Sequence, residues 1–250
     1  YQTADRWKFG VTAITSQVVA NDRDLSIPNM LKVTSNSSGY GILVQNVEGV
    51  QQTSGQNITL SFWAKTANFS SFRLEMGQNF GTGGSANVAV LNNTSYWSVP
   101  DTGWNKYTAT IAIPSISGKT VGAGNHFIVN IGPNSGTNAG ITYYSEVQLE
   151  VGPVATPFEH RSFGQELALC QRYYLEGRFP HLISVGSGET DNSTLLPNTM
   201  RAAPTVTLST IVNASMTVTT PTVNSFGWNG TTDNGANGNY SFYFNCDAEL

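Results

Sequence analysis

Apolar and polar residues alternate with a period of two through most of this chain, and sustained helical periodicity is almost absent. In ITLSFWAKT, Ile58, Leu60, Phe62 and Ala64 share one face and Thr59, Ser61, Trp63 and Lys65 the other. In SFRLEMG, Phe72, Leu74 and Met76 alternate with Arg73 and Glu75, and YTATIAIP places Tyr107, Ala109, Ile111 and Ile113 together. The longest run, ITYYSEVQLEV, sets Ile141, Tyr143, Val147, Leu149 and Val151 against Thr142, Tyr144, Glu146, Gln148 and Glu150. Strands with one dry and one wet face, separated by turn-rich stretches such as GTGGSAN and GPNSGTNAG, predict an all-β antiparallel sandwich rather than a parallel α/β sheet.

Composition narrows the possible functions. Only 11% of the 250 residues are charged, against about a quarter in an average globular chain. The 12 Lys and Arg are scattered and the net charge is −4, which argues against nucleic acid, since phosphate binding needs clustered cations. No apolar run approaches the roughly 18 residues of a membrane-spanning helix, so no membrane insertion is expected. The chain opens at Tyr1 rather than Met, as a fragment or a processed product would. Cys170 and Cys246 are the only cysteines. Two lone residues make no soft-metal set, and they are expected as buried free thiols, with a disulfide between them as the alternative.

The segment VQLEVGPVATPFEHRSFGQELALCQRYY, residues 147–174, changes character halfway. Pro153 and Pro157 remove ladder donors and end the strand. Thr156 with Glu159, and Ser162 with Gln165, both match capping-box spacing. A short helix over about 165–174 would carry Leu167, Cys170 and Tyr174 along one packed side. The expected organisation is a sandwich domain over 1–155, a Pro-containing connector with a short helix over 156–174, and a smaller C-terminal β-domain over 175–250.

Glu75, Glu146 and Glu150 lie on expected wet faces and could oppose one another across neighbouring strands, but no paired acidic motif accompanies them, so they read as solvated. No nucleophile elbow occurs, and His126, His160 and His181 lack metal-ligand spacing. GQNFGTGGS lacks the ending of a phosphate loop and reads as a long loop between strands. Sugar recognition is different: it needs flat aromatic faces on a wet surface with polar neighbours. Trp63 and Tyr144 qualify by alternation, with Arg73, Glu75, Glu146 and Gln148 as polar neighbours if these strands adjoin. In the second domain NSFGWNGTTDNGANGNY is too rich in Gly and Asn for a strand and predicts an exposed hairpin loop, offering Trp228, Asn229 and Asp233 to a ligand. NYSFYFN carries Tyr240, Phe242 and Phe244 on one face and Tyr243 on the other, which suggests cover by a partner subunit and hence a homotrimer.

The segments TADRWKFG, NVEGV, QNFGTGGS, PSISGKTVG, 147–174, TMRAAPTVT and FNCDAEL together resemble the C-terminal region of tailed-bacteriophage tail fibre and related virion fibre proteins. The 147–174 piece is the most specific. The resemblance implies a carbohydrate-binding-module-like jelly roll joined to a small C-terminal β-domain at the fibre tip, usually homotrimeric, with no catalytic motif and therefore no enzyme. It implies as partners a host-surface glycan, further copies of the chain and other virion proteins, with the chain in the virion and extracellular after release. Jelly rolls of this kind often hold a structural calcium, for which Asp22 and Asp24 in NDRD are the candidate ligands; no other cofactor is expected. The alternatives are a virion structural or decoration protein without ligand, and a polysaccharide depolymerase.

Overall fold

The computed structural model describes residues 7–9, 14–24, 27–36, 41–134, 139–182, 190–212, 214–232 and 239–248. The chain divides into two compact units, Tyr1–Glu159 with Leu250, and His160–Glu249. The helical segment falls within the second unit, and no strand crosses 153–157.

The first unit is built from β1 (Lys8–Phe9), β2 (Ile14–Ala20), β3 (Asn29–Ser35), β4 (Leu43–Glu48), β5 (Asn57–Thr66), β6 (Ser71–Asn79), β7 (Val88–Ser98), β8 (Asn105–Ala112), β9 (His126–Pro133) and β10 (Gly140–Val151). They pair antiparallel in two five-stranded sheets, ordered β1-β4-β9-β6-β7 and β2-β3-β10-β5-β8. The inner faces close on one core. Leu43, Phe72, Leu74, Phe127 and Ile131 come from the first sheet, and Val33, Ile58, Leu60, Phe62, Tyr107 and Tyr144 from the second. Phe62 and Phe72 meet edge to face across the sandwich with centroids 6.1 Å apart, the arrangement aromatic quadrupoles favour.

Alternation fixes β5, β6 and β8 as the sequence predicts, but β10 departs from it. Ser145 pairs with Trp63 and Gln148 with Ser61, so three steps on β10 answer two on β5. This is a β-bulge, and Glu146 within it takes φ 51°, a conformation rare for non-glycine residues. One extra residue inverts the parity of the strand. Leu149, opposite Leu60, therefore packs on the core as expected, whereas Val151 at the strand end is exposed; on the other side of the bulge Tyr144, opposite Ala64, turns into the core and Tyr143, opposite Lys65, turns out.

The GQNFGTGGS loop lies between β6 and β7 and interlocks with the loop before β9. Thr82 N donates to Ala123 O at 2.9 Å, Ala123 N to Thr82 O at 3.0 Å, and Gly122 N to Phe80 O at 2.7 Å. Backbone approaches this closely that a Cβ on Gly84 would lie 2.1 Å from Phe80 O, and one on Gly122 2.2 Å from Thr82 O.

The second unit opens with α1 (Phe163–Gln171), whose N-terminus carries the expected capping box: Gln165 N donates to Ser162 Oγ at 3.4 Å and Ser162 N to Gln165 Oε1 at 3.0 Å. Thr156 caps nothing; its hydroxyl and N–H both turn to Glu150. Nor does the expected Leu167–Cys170–Tyr174 side pack. Leu167 and Tyr174 are exposed and Cys170 is half-buried; the helix ends at Gln171, and the turn after it, closed by Tyr173 N to Cys170 O at 3.0 Å, buries Tyr173 in place of Tyr174.

Beyond it, β11 (Tyr174–Leu182), β16 (Asn239–Asp247) and β13 (Thr205–Val212) form one three-stranded antiparallel sheet, and β12 (Thr190–Leu195), β15 (Ser225–Thr232) and β14 (Ala214–Thr219) another. Phe226, Trp228, Phe242, Phe244 and Cys246 are buried between them, with Phe179 against four of their rings. Gly177 lies opposite Phe244, where a Cβ would meet that ring at 2.6 Å. Cys170 and Cys246 are free thiols, and burial pushes the Cys246 thiol up to about 11. The Gly/Asn-rich stretch thus contains a strand after all: burying Phe226 and Trp228 on one side of β15 outweighs its poor intrinsic propensity.

Two glycines should respond oppositely to alanine. Gly84→Ala drives a Cβ into the Phe80 carbonyl of its own loop and is expected to lower stability by about 2 kcal/mol or more. Gly164 in the first turn of α1 has open space at the Cβ position, so Gly164→Ala should raise stability by about 0.5 kcal/mol. Thermal melts of the two variants check the signs.

Candidate functional site

The outward face of the β2-β3-β10-β5-β8 sheet carries most of the sequence candidates, and the structure commits them unevenly. Residues 21–24 lie over the middle of that face. Asn21 is buried and donates to Ser145 Oγ at 3.2 Å, while Arg23 N donates back to Asn21 Oδ1 at 2.9 Å. The Arg23 guanidinium stacks on Trp63, 4.5 Å from the ring centroid, and pairs with Glu146. Both side chains of that pair are largely shielded, at 15% and 13% exposure. Trp63 is on the outward face, as alternation demands, but one ring face is taken by the protein's own cation.

The exit segment occupies a second part of the face. Gln148 accepts from Glu159 N at 2.7 Å and donates to Thr156 Oγ1 at 3.2 Å, and Thr110 Oγ1 donates to Pro153 O at 3.2 Å. Gln148 and Glu150 thus hold a strap over Thr59 and Ser61, both buried on what would otherwise be a wet face. Glu146 and Gln148 are spent on internal contacts.

A third part remains accessible. Cross-strand register sets Gln17 opposite Lys32, Lys32 opposite Tyr143, and Tyr143 opposite Lys65. Trp104, immediately before β8, completes the row beside Lys65. Lys65 Nζ lies 4.8 Å from the Tyr143 ring centroid and 5.1 Å from that of Trp104. Asp22 accepts from Lys65 Nζ and, at 2.9 Å, from Trp104 Nε1. These donors, Lys65 foremost, hold the Asp22 carboxyl below the usual carboxylate range. Trp63, Trp104 and Tyr143 are all half-buried. Sequence reading missed Tyr143, placed in the core by the parity argument, and Trp104, which lies before its strand where alternation does not reach. No local signal marks the shift, because adjacent Tyr143 and Tyr144 allow either parity.

Arg73 and Glu75 lie elsewhere, because β5 and β6 belong to different sheets. On the outward face of the first sheet they pair with each other, and Asn130 Nδ2 donates to Glu75 at 3.0 Å. Val44, Asn46 and Ile128 share that face by register, so the named set is polar and aliphatic without an aromatic ring. Glu75 therefore cannot oppose Glu146 or Glu150. Tyr144, expected as a stacking surface, is 1% exposed in the core.

Trp228, expected in an exposed loop, is 5% exposed on β15, with Phe179, Phe242 and Phe226 centroids 5.0, 5.3 and 5.7 Å away. Asn229 accepts from Thr217 on β14. Asp233 lies outside the described residues. Of NYSFYFN, Phe242 and Phe244 are covered by the unit's own core, and exposed Tyr243 has the Arg178 guanidinium 5.6 Å from its centroid. Asp22 and Asp24 do not form an oxygen cage: Asp22 faces Lys65 and Trp104, and Asp24 lies 3.7 Å from Arg23. Among the described residues no three or more His, Cys, Asp or Glu converge as a metal site would.

No family model and no curated protein matches the chain. Among solved structures it is similar to the C-terminal family 22 carbohydrate-binding module of Clostridium thermocellum Xyn10B, at 14% identity and TM-score 0.44 over 62% of this chain and 91% of that one. It is similar to the CBM22-2 xylan-binding domain of Paenibacillus barcinonensis Xyn10C, at 19% and 0.43 over 60% and 94%. It is also similar to the enzymatically active domain of tailspike protein 4 of bacteriophage CBA120, at 18% and 0.39 over 60% and 20%. Values of this size establish no family membership.

Tyr144 separates a core role from a surface one. Its hydroxyl is buried beside that of Thr142 without a well-formed hydrogen bond, and burial drives its pKa far above the ordinary tyrosine value. Tyr144→Phe should leave the melting temperature unchanged or raised, whereas Tyr144→Ala should cost about 3–5 kcal/mol through the cavity left.

Proposed function

We propose that the chain is a non-catalytic attachment module of a bacteriophage virion fibre, and that its first unit binds a host-surface glycan on the outward face of the β2-β3-β10-β5-β8 sheet. One observation carries the glycan reading: Trp104, Tyr143 and Trp63 share a solvent-reached sheet face with Lys65 and Asp22. Aromatic rings of this kind stack on the apolar faces of pyranoses, and neighbouring charged groups bond the hydroxyls. A rigid sheet presents them without an ordering penalty on binding.

The virion assignment rests on the sequence resemblance concentrated in residues 147–174. The same resemblance supports a homotrimer with further virion proteins as neighbours and an extracellular site of action. A non-catalytic role is supported by the separate commitments of the acids considered for hydrolysis. Glu75 is held by Arg73 and Asn130, Glu146 by Arg23, and Glu150 by Thr156. None of these faces another across a cleft.

Trp104→Ala should weaken binding to glycans of the host surface, presented on an array, by about tenfold or more, while the melting temperature stays close to that of the parent. Full retention by the variant would move the site elsewhere. Light scattering of the intact chain at micromolar concentration should return three times the mass of one chain; a monomer mass would remove the trimer from the proposal.

A further inference from the structure

We propose that Lys65 Nζ and Trp104 Nε1 form a receptor for the carboxylate of an acidic sugar, a hexuronate or a nonulosonate, which Asp22 fills in cis until such a ligand displaces it. The inference rests on the glycan reading above and names the ligand class at the same face.

Two donors converge on one group. An ammonium from β5 and an indole N–H from the residue before β8 both point at one carboxylate, that of Asp22. Charge-assisted donors arranged in this way recognise a carboxylate wherever it comes from. The Tyr143 and Trp104 rings on either side of the ammonium supply the flat apolar surface that a pyranose bearing that carboxylate would cover. Register adds Lys32 on the far side of Tyr143, so the row is cationic apart from Asp22 itself.

Exposure shows which partner is exchangeable. The Lys65 side chain is 21% exposed and that of Asp22 56%, so the occupant sits on the solvent side of its receptor. The loop that carries Asp22 has independent anchors: Asn21 bonds Ser145, and Arg23 is stacked on Trp63 and paired with Glu146. Asp22 can leave without releasing the loop. An intramolecular competitor reduces apparent affinity by the fraction of time it occupies the receptor, so removing it tightens binding of acidic ligands alone.

The test uses the full chain on an array of hexuronate- and nonulosonate-containing oligosaccharides, each printed beside its methyl ester. The parent should favour the acid over the ester. Asp22→Ala should raise the acid-to-ester binding ratio about two- to sixfold, as removal of a weakly held competitor would, and Lys65→Met should erase the preference for the acid. An acid-to-ester ratio that neither variant changes overturns the inference, as does equal binding of a polyglutamate peptide, which lacks a ring to stack. Trp104→Ala distinguishes this outcome from failure of the glycan reading itself. If that variant loses acid and ester alike the face is a glycan site, and if no form of the chain binds any glycan both fall.

Discussion

β10 runs through the middle of the second sheet, between β3 and β5, and the one extra residue it carries between Ser145 and Gln148 sets what each side of that sheet presents. Without the bulge, the parity that places Leu149 against the core would also place Tyr143 there and expose Tyr144. With it, Tyr144 fills the space beside Phe62 and Phe72, and Tyr143 joins Lys65 on the outside. Glu146 is left in a conformation that costs free energy for a non-glycine residue. Its pairing with Arg23, over Trp63, offsets that cost and pins residues 21–24 to the sheet. Core packing and surface chemistry in the first unit therefore have one origin.

Much of the fold was legible because burial on one face leaves a period-two record. β5, β6 and β8 could be read with their inward residues named, and the Ser162–Gln165 box located the start of α1 because a cap is local chemistry. What could not be read were effects with no local record. A bulge inserts a residue without marking it, and two adjacent tyrosines at 143 and 144 allow either parity. β15 runs through Gly227, Gly230 and Asn229, whose propensities argue against a strand, and only the company of Phe179, Phe242 and Phe244 explains why Trp228 is buried in one.

The candidate site was legible in kind but not in place. Alternation put Trp63, Arg73, Glu75, Glu146 and Gln148 outside, where they are. It could not show that β5 and β6 belong to different sheets, nor that Gln148 would hold the 153–159 strap and Arg23, 40 positions before Trp63 in sequence, would cover its ring. Surface availability is settled by long-range contacts, and alternation reports only which side of a strand a residue occupies.

Residues 21–24 illustrate how one short loop can make two kinds of contact. Arg23 and Glu146 are both well shielded, and separating them would strand a charge in a poorly solvated place, which is strongly unfavourable. Asp22 and Lys65 differ. The carboxylate is more than half exposed, so water can take over its solvation as it leaves, and the net energy of such a surface pair is about 0–1 kcal/mol. The ammonium, held against two rings, stays where it is. A permanent anchor beside an exchangeable one keeps the loop in register while the group between Trp104 and Tyr143 turns over, and that asymmetry lets the same residues serve both the fold and the proposed recognition of an acidic sugar.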